Sequence, residues 1–144
     1  MQTITPFLWF DTQAEEAMNF YASIFKDAKI LSVNRNGDSV MSVTFQLGTQ
    51  KFMACNFGPT YKFNEAISLM VDCKTQEEVD EYWERLSEGG EKGRCGWLKD
   101  KFGLSWQIIP QALSELLSDP EKSQKVMQAM MKMSKIDIKL LEAA

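Results

Sequence analysis

The feature of this sequence that most limits its possible folds is a short pattern that occurs twice. Glu16-Ala17 followed by Phe20-Tyr21 reappears 62 residues on as Glu78-Val79 followed by Tyr82-Trp83. Each copy sits behind an apolar run and a helix-start signal. In the first copy Ile4–Phe10 reads as a strand ending at Asp11, and Thr12-Gln-Ala-Glu15 reads as a capping box, with Thr12 accepting from the backbone and Glu15 reaching back. In the second, Ala66–Asp72 reads as the strand and Thr75-Gln-Glu-Glu78 as the box. Behind the boxes, Ala17, Phe20, Tyr21, Ile24 and Phe25 share one helical face, as do Val79, Tyr82, Trp83 and Leu86. Gly89-Gly90 stops the second helix. A unit of roughly 55–60 residues repeated once is an internal duplication rather than a solenoid, and pairing of the two sheets is expected because neither buries its face alone.

Each copy continues in strands. Ile30–Asn34, Val40–Leu47 and Lys51–Asn56 follow the first helix, separated by Asn36-Gly37-Asp38 and Gly48, and predict antiparallel pairing. Phe57–Asn64 is a loop by its Gly-Pro pair. The second copy closes in a hairpin: Trp97–Asp100, a turn at Lys101-Phe102-Gly103, then Leu104–Ile109, with Pro110 ending the strand. Leu104, Trp106 and Ile108 alternate with Ser105 and Gln107, so one face is apolar and the other polar enough to line a cavity. The spacing between Gly90 and Trp97 is short, which predicts an abbreviated strand there. Beyond it, Pro110–Leu117 predicts a short helix, and Asp119-Pro120 a further one with an N-cap aspartate and proline at its first position. Met127, Met130 and Met131 form a flexible stripe suited to packing on the body or a partner subunit.

Composition narrows the function classes. At 144 residues the chain is long enough for a real core, and a net charge of −4 supplies no basic face for nucleic acid. No apolar run approaches the ~20 residues of a membrane span, and Met1–Pro6 lacks the features of a secretory signal. Cys55, Cys73 and Cys95 are an odd number without metal-like spacing, which predicts free thiols and a cytoplasmic location. With no histidine, triads that use it as base and the usual zinc and non-haem iron sites are absent.

Two βαβββ copies resemble the vicinal oxygen chelate superfamily of glyoxalases, extradiol dioxygenases and bleomycin-resistance proteins. The resemblance is carried by Phe20-Tyr21 on the first helix and by the closing Asp100-Lys-Phe-Gly-Leu-Ser-Trp-Gln-Ile108 hairpin. Pro6-Phe7-Leu8-Trp9-Phe10-Asp11, Glu15-Glu16-Ala17 and Cys95-Gly96-Trp97 are similar to its PhnB-like branch, described as demethylubiquinone methyltransferase-like. The resemblance covers residues 3–110. It implies an α+β fold whose modules, about 3–57 and 65–110, form a cup-shaped incomplete β-barrel. We therefore expect one glyoxalase-like domain over 1–118, a helical tail over 119–144 and a homodimer. It also implies four ligand positions, which fall on Thr5, Met53 (or Ala54), Ala66 and Gln107. Only Gln107 is a useful donor, so no metal and no cofactor are expected.

By the same strand register the cup is lined by Phe7, Trp9, Met53, Cys55, Ser68, Met70, Ser105 and Gln107. Apolar walls with a few polar groups describe a small-molecule pocket. Gln107 either orients a ligand or bonds a neighbouring strand, and Trp9 either stacks on a flat ligand or fills the core. Cys55 lacks a histidine to activate it, whereas Cys73, at a helix entrance, either has its thiol pKa lowered by the helix dipole or belongs to the cap geometry without any reactivity. Tyr61 and Lys62 lie in the loop between the copies and either cap the cup or face solvent. The glycine-rich turn of a nucleotide-binding sheet is missing: Gly37, Gly48 and Gly58 are isolated, and Gly89-Gly90-Glu-Lys-Gly93 follows a helix, against the methyltransferase label. Two readings remain: a metal-free binder of an apolar or aromatic small molecule, or a metal-independent enzyme in which Gln107, Ser105 or a loop lysine acts on a carbonyl-bearing substrate.

Overall fold

The computed structural model describes residues 2–144. They fall into two compact units, one ending at Phe63 and the other running from Asn64 to Ala144. In the first, β1 (Phe7–Phe10), α1 (Ala14–Ile24), β2 (Ala28–Asn36), β3 (Ser39–Leu47) and β4 (Gln50–Asn56) follow in order. In the second, β5 (Ser68–Cys73), α2 (Gln76–Ser87), β6 (Glu91–Lys92), β7 (Trp97–Lys99) and β8 (Ser105–Pro110) repeat that order, and α3 (Gln111–Ser118), α4 (Ser123–Met131) and α5 (Ile138–Glu142) complete the unit. Each sheet has four strands in the same arrangement, β1-β4-β3-β2 and β5-β8-β7-β6, with a parallel pair at one edge and antiparallel pairing elsewhere. The duplication is thus structural: two βαβββ modules of an α+β fold. The abbreviated strand is β6, only two residues long.

The strand parity expected from the alternation holds in β1, β3, β4 and β8, whereas on the first strand of the second module Leu69 and Val71 are only half-buried and Ile67, just before it, is exposed. Leu8 and Phe10 of β1, Val43 and Phe45 of β3, and Phe52 and Ala54 of β4 are buried, together with Ala14, Ala17, Met18, Tyr21 and Ile24 of α1. Met18 and Ala14 therefore join the helix face in place of Phe20 and Phe25, which are half-buried. The rings of Phe45 and Phe52 are stacked 5.4 Å apart, and Tyr21 lies tilted against Phe45 at 6.1 Å, in the core of this module. In the second module Val79, Trp83 and Leu86 of α2 are buried with Leu98, Leu104, Trp106 and Ile108.

The first helix is capped differently from expectation. Thr12 does not cap it: α1 starts at Ala14, and the Ala14 amide donates to Asn56 Oδ1 of β4 at 2.9 Å. Glu15 forms an ion pair with Arg35 of β2 instead of reaching back. A cap borrowed from a distant strand cannot be seen in local spacing. In the second box Thr75 caps α2, its Oγ1 accepting from the Glu78 amide at 3.2 Å, while the Glu78 carboxylate reaches one residue further back and accepts from the Lys74 amide at 3.3 Å.

The closing hairpin is fastened by a residue that alternation alone assigns to the strand. Asp100 is 2% exposed; its Oδ1 accepts from the Phe102 and Leu104 amides at 2.9 and 3.0 Å, and its Oδ2 accepts from Trp106 Nε1 at 2.9 Å. A buried carboxylate satisfied by charge-assisted bonds fixes the turn and hence the register of β7 on β8.

The tail is docked on the second unit. Leu113, Val126, Ile136 and Leu141 form a small core, against which Met130 and Met133 pack, whereas Met127 and Met131 are exposed. The Cys95 and Gly96 amides donate to Met133 O and Ser134 O, both at 2.8 Å. Gln76 donates to Ile136 O at 2.9 Å and accepts from the Ile138 amide at 2.8 Å. Asp119 is not a helix N-cap: α4 begins at Ser123, and Asp119 Oδ1 accepts from the Glu121 amide within the turn before it.

Candidate functional site

On each sheet the face away from its helix carries the residues that sequence parity assigned to a cup. In the first module Phe7 and Trp9 lie beside Met53 and Cys55 by strand register. Phe7 is 53% exposed, whereas Cys55 is fully buried. Trp9 is engaged by its own chain: Nε1 donates to Gly58 O at 2.9 Å, and the Phe57 and Tyr61 rings meet the indole edge-on at 5.0 Å. The loop after β4 is therefore folded onto Trp9, and Tyr61 is part of an aromatic cluster although largely exposed.

In the second module Ser68 and Met70 of β5 pair with Ser105 and Gln107 of β8. Gln107 Nε2 donates to Ser68 Oγ at 2.9 Å, so this end of the amide serves the sheet. Met70 is exposed. Ser105 is fully buried, and among the described residues its Oγ has no hydrogen-bond partner. It lies behind the wall of a recess of about 160 Å³ lined also by Glu65, Glu91, Lys92, Gly93, Trp97 and Lys99. Parity on the polar strand had pointed to a cavity, but not to these walls. The signal was present in the hairpin: Lys99 faces Ser105 and Trp97 faces Gln107 across β7 and β8.

Protonation states follow from the surroundings. Burial pushes the Cys55 thiol up, and its Sγ contacts Leu8 O at 3.7 Å. Cys73 is pushed up to about 12, first by burial and then by the nearby Glu78 and Asp72 carboxylates. The helix entrance therefore does not lower this thiol; desolvation and two like-signed neighbours outweigh the dipole. Lys99 is raised above the ordinary lysine range, chiefly by its hydrogen bond and ion pair with Glu65, whose carboxyl is lowered in return.

The donor set at the four positions implied by the resemblance does not fit a metal. Thr5 and Met53 in one module and Ala66 and Gln107 in the other supply one hydroxyl, one thioether and one amide. Transition metals in catalytic sites take three or more imidazole, thiolate or carboxylate ligands. Among the described residues no group of three His, Cys, Asp or Glu side chains is placed to hold an ion.

Residues 2–109 match the family model described as 3-demethylubiquinone-9 3-methyltransferase. The chain belongs to this family. A putative 3-demethylubiquinone-9 3-methyltransferase, the PhnB protein of Bacillus cereus, is 37% identical, with a TM-score of 0.71 over 76% of this chain and 99% of that one. Two solved structures extend the likeness to fold alone. The fosfomycin resistance protein FosX of Listeria monocytogenes, solved with Mn(II) and sulfate, is 19% identical, with a TM-score of 0.62 over 81% of this chain and 97% of that one. A glyoxylase/bleomycin resistance protein/dioxygenase domain from Frankia is 15% identical, with a TM-score of 0.53 over 76% and 92%. The fold of two βαβββ modules is thus shared with these proteins. No curated protein matches the chain. No helix among the described residues is long and apolar enough to cross a membrane.

Proposed function

We propose that this member of the 3-demethylubiquinone-9 3-methyltransferase family is a metal-free binder of an apolar or aromatic small molecule, working as a cytoplasmic homodimer. The observation that carries this reading is that Cys55 and Cys73 are fully buried and Lys99 is ion-paired with Glu65, so none of the three is offered to a substrate as a free nucleophile. Ser105 Oγ has no base within hydrogen-bond reach. Covalent catalysis needs the opposite: a thiolate, a neutral amine or a hydroxyl beside a base. The same faces retain features of a binding surface, with exposed Phe7 and Met70 and an unpartnered buried hydroxyl.

The methyltransferase description is not adopted for this chain. Its glycine cluster serves packing: a Cβ on Gly90 would fall 2.1 Å from Lys99 O, and one on Gly93 2.9 Å from Trp97 O. That is close backbone approach at a strand edge rather than a phosphate cradle.

Native mass spectrometry of protein purified without added metal or a histidine tag tests the reading. A dimer carrying an extra small-molecule mass and no metal is expected. Stoichiometric metal, or turnover of the bound compound, would overturn it. Such turnover would favour the enzyme alternative, a metal-independent reaction on a carbonyl-bearing substrate, and its loss in Gln107→Ala or Ser105→Ala would locate it.

A further inference from the structure

We propose that Asn36 is a site of covalent modification, where the side-chain amide condenses with the Gly37 backbone nitrogen and the folded chain converts to aspartate and isoaspartate.

The chain has five asparagines, at positions 19, 34, 36, 56 and 64, and the structure separates one of them from the rest. Asn19 lies within α1, whose hydrogen-bonded backbone fixes the amide that follows it. Asn34 donates to Ser42 Oγ at 3.0 Å and is followed by Arg35 inside β2. Asn56 is held from both ends, by the Ala14 amide at 2.9 Å and Val40 O at 3.1 Å, and the Phe57 amide behind it donates to Phe10 O at 3.0 Å. Asn64 Oδ1 accepts from the Ala66 amide at 2.8 Å.

Asn36 has none of these restraints. It is the exposed last residue of β2, paired with Ser39 across the Gly37-Asp38 turn. Among the described residues neither its side chain nor the Gly37 amide has a hydrogen-bond partner. Gly37 sits at φ +64°, and nothing lies within 4 Å of where a Cβ would be. The attacking nitrogen thus has no neighbouring side chain, and glycine lets the backbone rotate towards the Asn36 Cγ. A hairpin end opens more easily than a strand interior, so the approach needs only the last pair to fray.

The step balances without a redox partner. The Gly37 nitrogen bonds to Asn36 Cγ, closing a five-membered imide, and its amide proton leaves with the side-chain nitrogen as ammonia. Water then adds to one of the two imide carbonyls. Opening at Cγ gives aspartate; opening at the main-chain carbonyl gives isoaspartate, with the chain now running through the side chain.

Both products alter this end of the first module. Each adds one negative charge to a chain already at −4, two residues from Asp38, which lines a recess with Asp11, Glu15 and Glu16. Isoaspartate also inserts an extra atom into the backbone, which breaks the Asn36–Ser39 pair. Its neighbours are the Arg35–Val40 pair and the Arg35 ion pair with Glu15, and both should loosen.

The test is incubation of the folded full chain in mildly alkaline buffer, followed by peptide mass spectrometry. The Asn36 peptide should gain one dalton, or three in ¹⁸O-labelled water, and separate into two products. Peptides carrying Asn19, Asn34, Asn56 and Asn64 should stay unchanged. Asn36→Gln, which would need a slower-closing six-membered ring, should abolish the gain. Amide exchange at Ser39 and Val40 should rise on ageing in the wild-type chain and not in Asn36→Gln. An unmodified Asn36 in the folded chain would overturn the proposal, above all if the same chain is modified there in urea. Gain at Asn34 or Asn64 at the rate of Asn36 would overturn it equally.

Discussion

Ser105→Ala in the ligand-free protein isolates the energetic consequence of an orphaned hydroxyl. Ser105 is fully buried on the central strand β8, between Ser68 of β5 and Lys99 of β7, and among the described residues its Oγ lacks a partner. A buried polar group left unsatisfied costs about 1–3 kcal/mol of desolvation. Removing the oxygen recovers that penalty and forfeits a few contacts of roughly 0.1–0.2 kcal/mol each. Alanine is also the poorer strand former, on a scale spanning about 1 kcal/mol in all. The net expectation is a gain of about 1 kcal/mol, or roughly 3–4 °C in melting temperature for a chain of this size. Urea unfolding and calorimetry of the two proteins measure it directly. Ser68→Ala is the internal contrast: its hydroxyl accepts from Gln107 Nε2 at 2.9 Å, so its loss should cost about 0.5–1.5 kcal/mol. A loss of 1 kcal/mol or more in Ser105→Ala would refute the reasoning, because it would mean that the hydroxyl is satisfied in the free protein.

Three further outcomes follow from other contacts. Cys73 has its thiol raised to about 12 by burial and two carboxylates, so the folded form keeps a proton that the unfolded chain releases near pH 9. Its contribution is fully present below about pH 9 and is lost as pH rises towards 12, a fall of up to about 4 kcal/mol; Cys73→Ala should flatten the stability profile between about pH 9 and 11, and an unchanged slope would contradict the assignment. Asn56→Ala should destabilise by about 1–2 kcal/mol, since Asn56 caps α1 through the Ala14 amide and donates to Val40 O at 3.1 Å; a neutral effect on urea unfolding would count against the borrowed cap. Gly90→Ala should be more damaging than either, above about 2 kcal/mol, because the new Cβ meets backbone atoms of Lys99 and Asp100 rather than a side chain that can move; wild-type stability would show that β6 and β7 are less closely apposed than described.

Much of this architecture was legible in the order of residues. Strand alternation placed Leu8 and Phe10, and Leu104, Trp106 and Ile108, on the helix side, and the structure buries all of them. That legibility has a simple cause: a period of two or of 3.6 is dictated by local backbone geometry, and one buried face fixes its phase. The repeated pattern gave two modules for the same reason, each strand–helix–strands unit having its own apolar faces to cover. The site was partly legible. Ser105 and Gln107 were assigned to the polar face, and their cross-strand neighbours Lys99 and Trp97 could have been found from the hairpin register.

Other features depended on contacts between residues far apart in the chain. Spacing offered Thr12 as the α1 cap, yet Asn56, 42 residues beyond Ala14, performs it. The same limit hid Glu65 beside Lys99, the loop carbonyl of Gly58 that holds Trp9, and the Gln76 bonds that seat the tail. It also hid which of the two readings of Cys73 applies, because a helix entrance is visible in sequence whereas desolvation is not. Sequence alone determined which residues are apolar, at what period, and which chemistries a chain without histidine lacks. The tertiary structure decided which polar groups find partners and which, like Ser105, are buried without one, since hydrogen bonding and desolvation are set by neighbours in space.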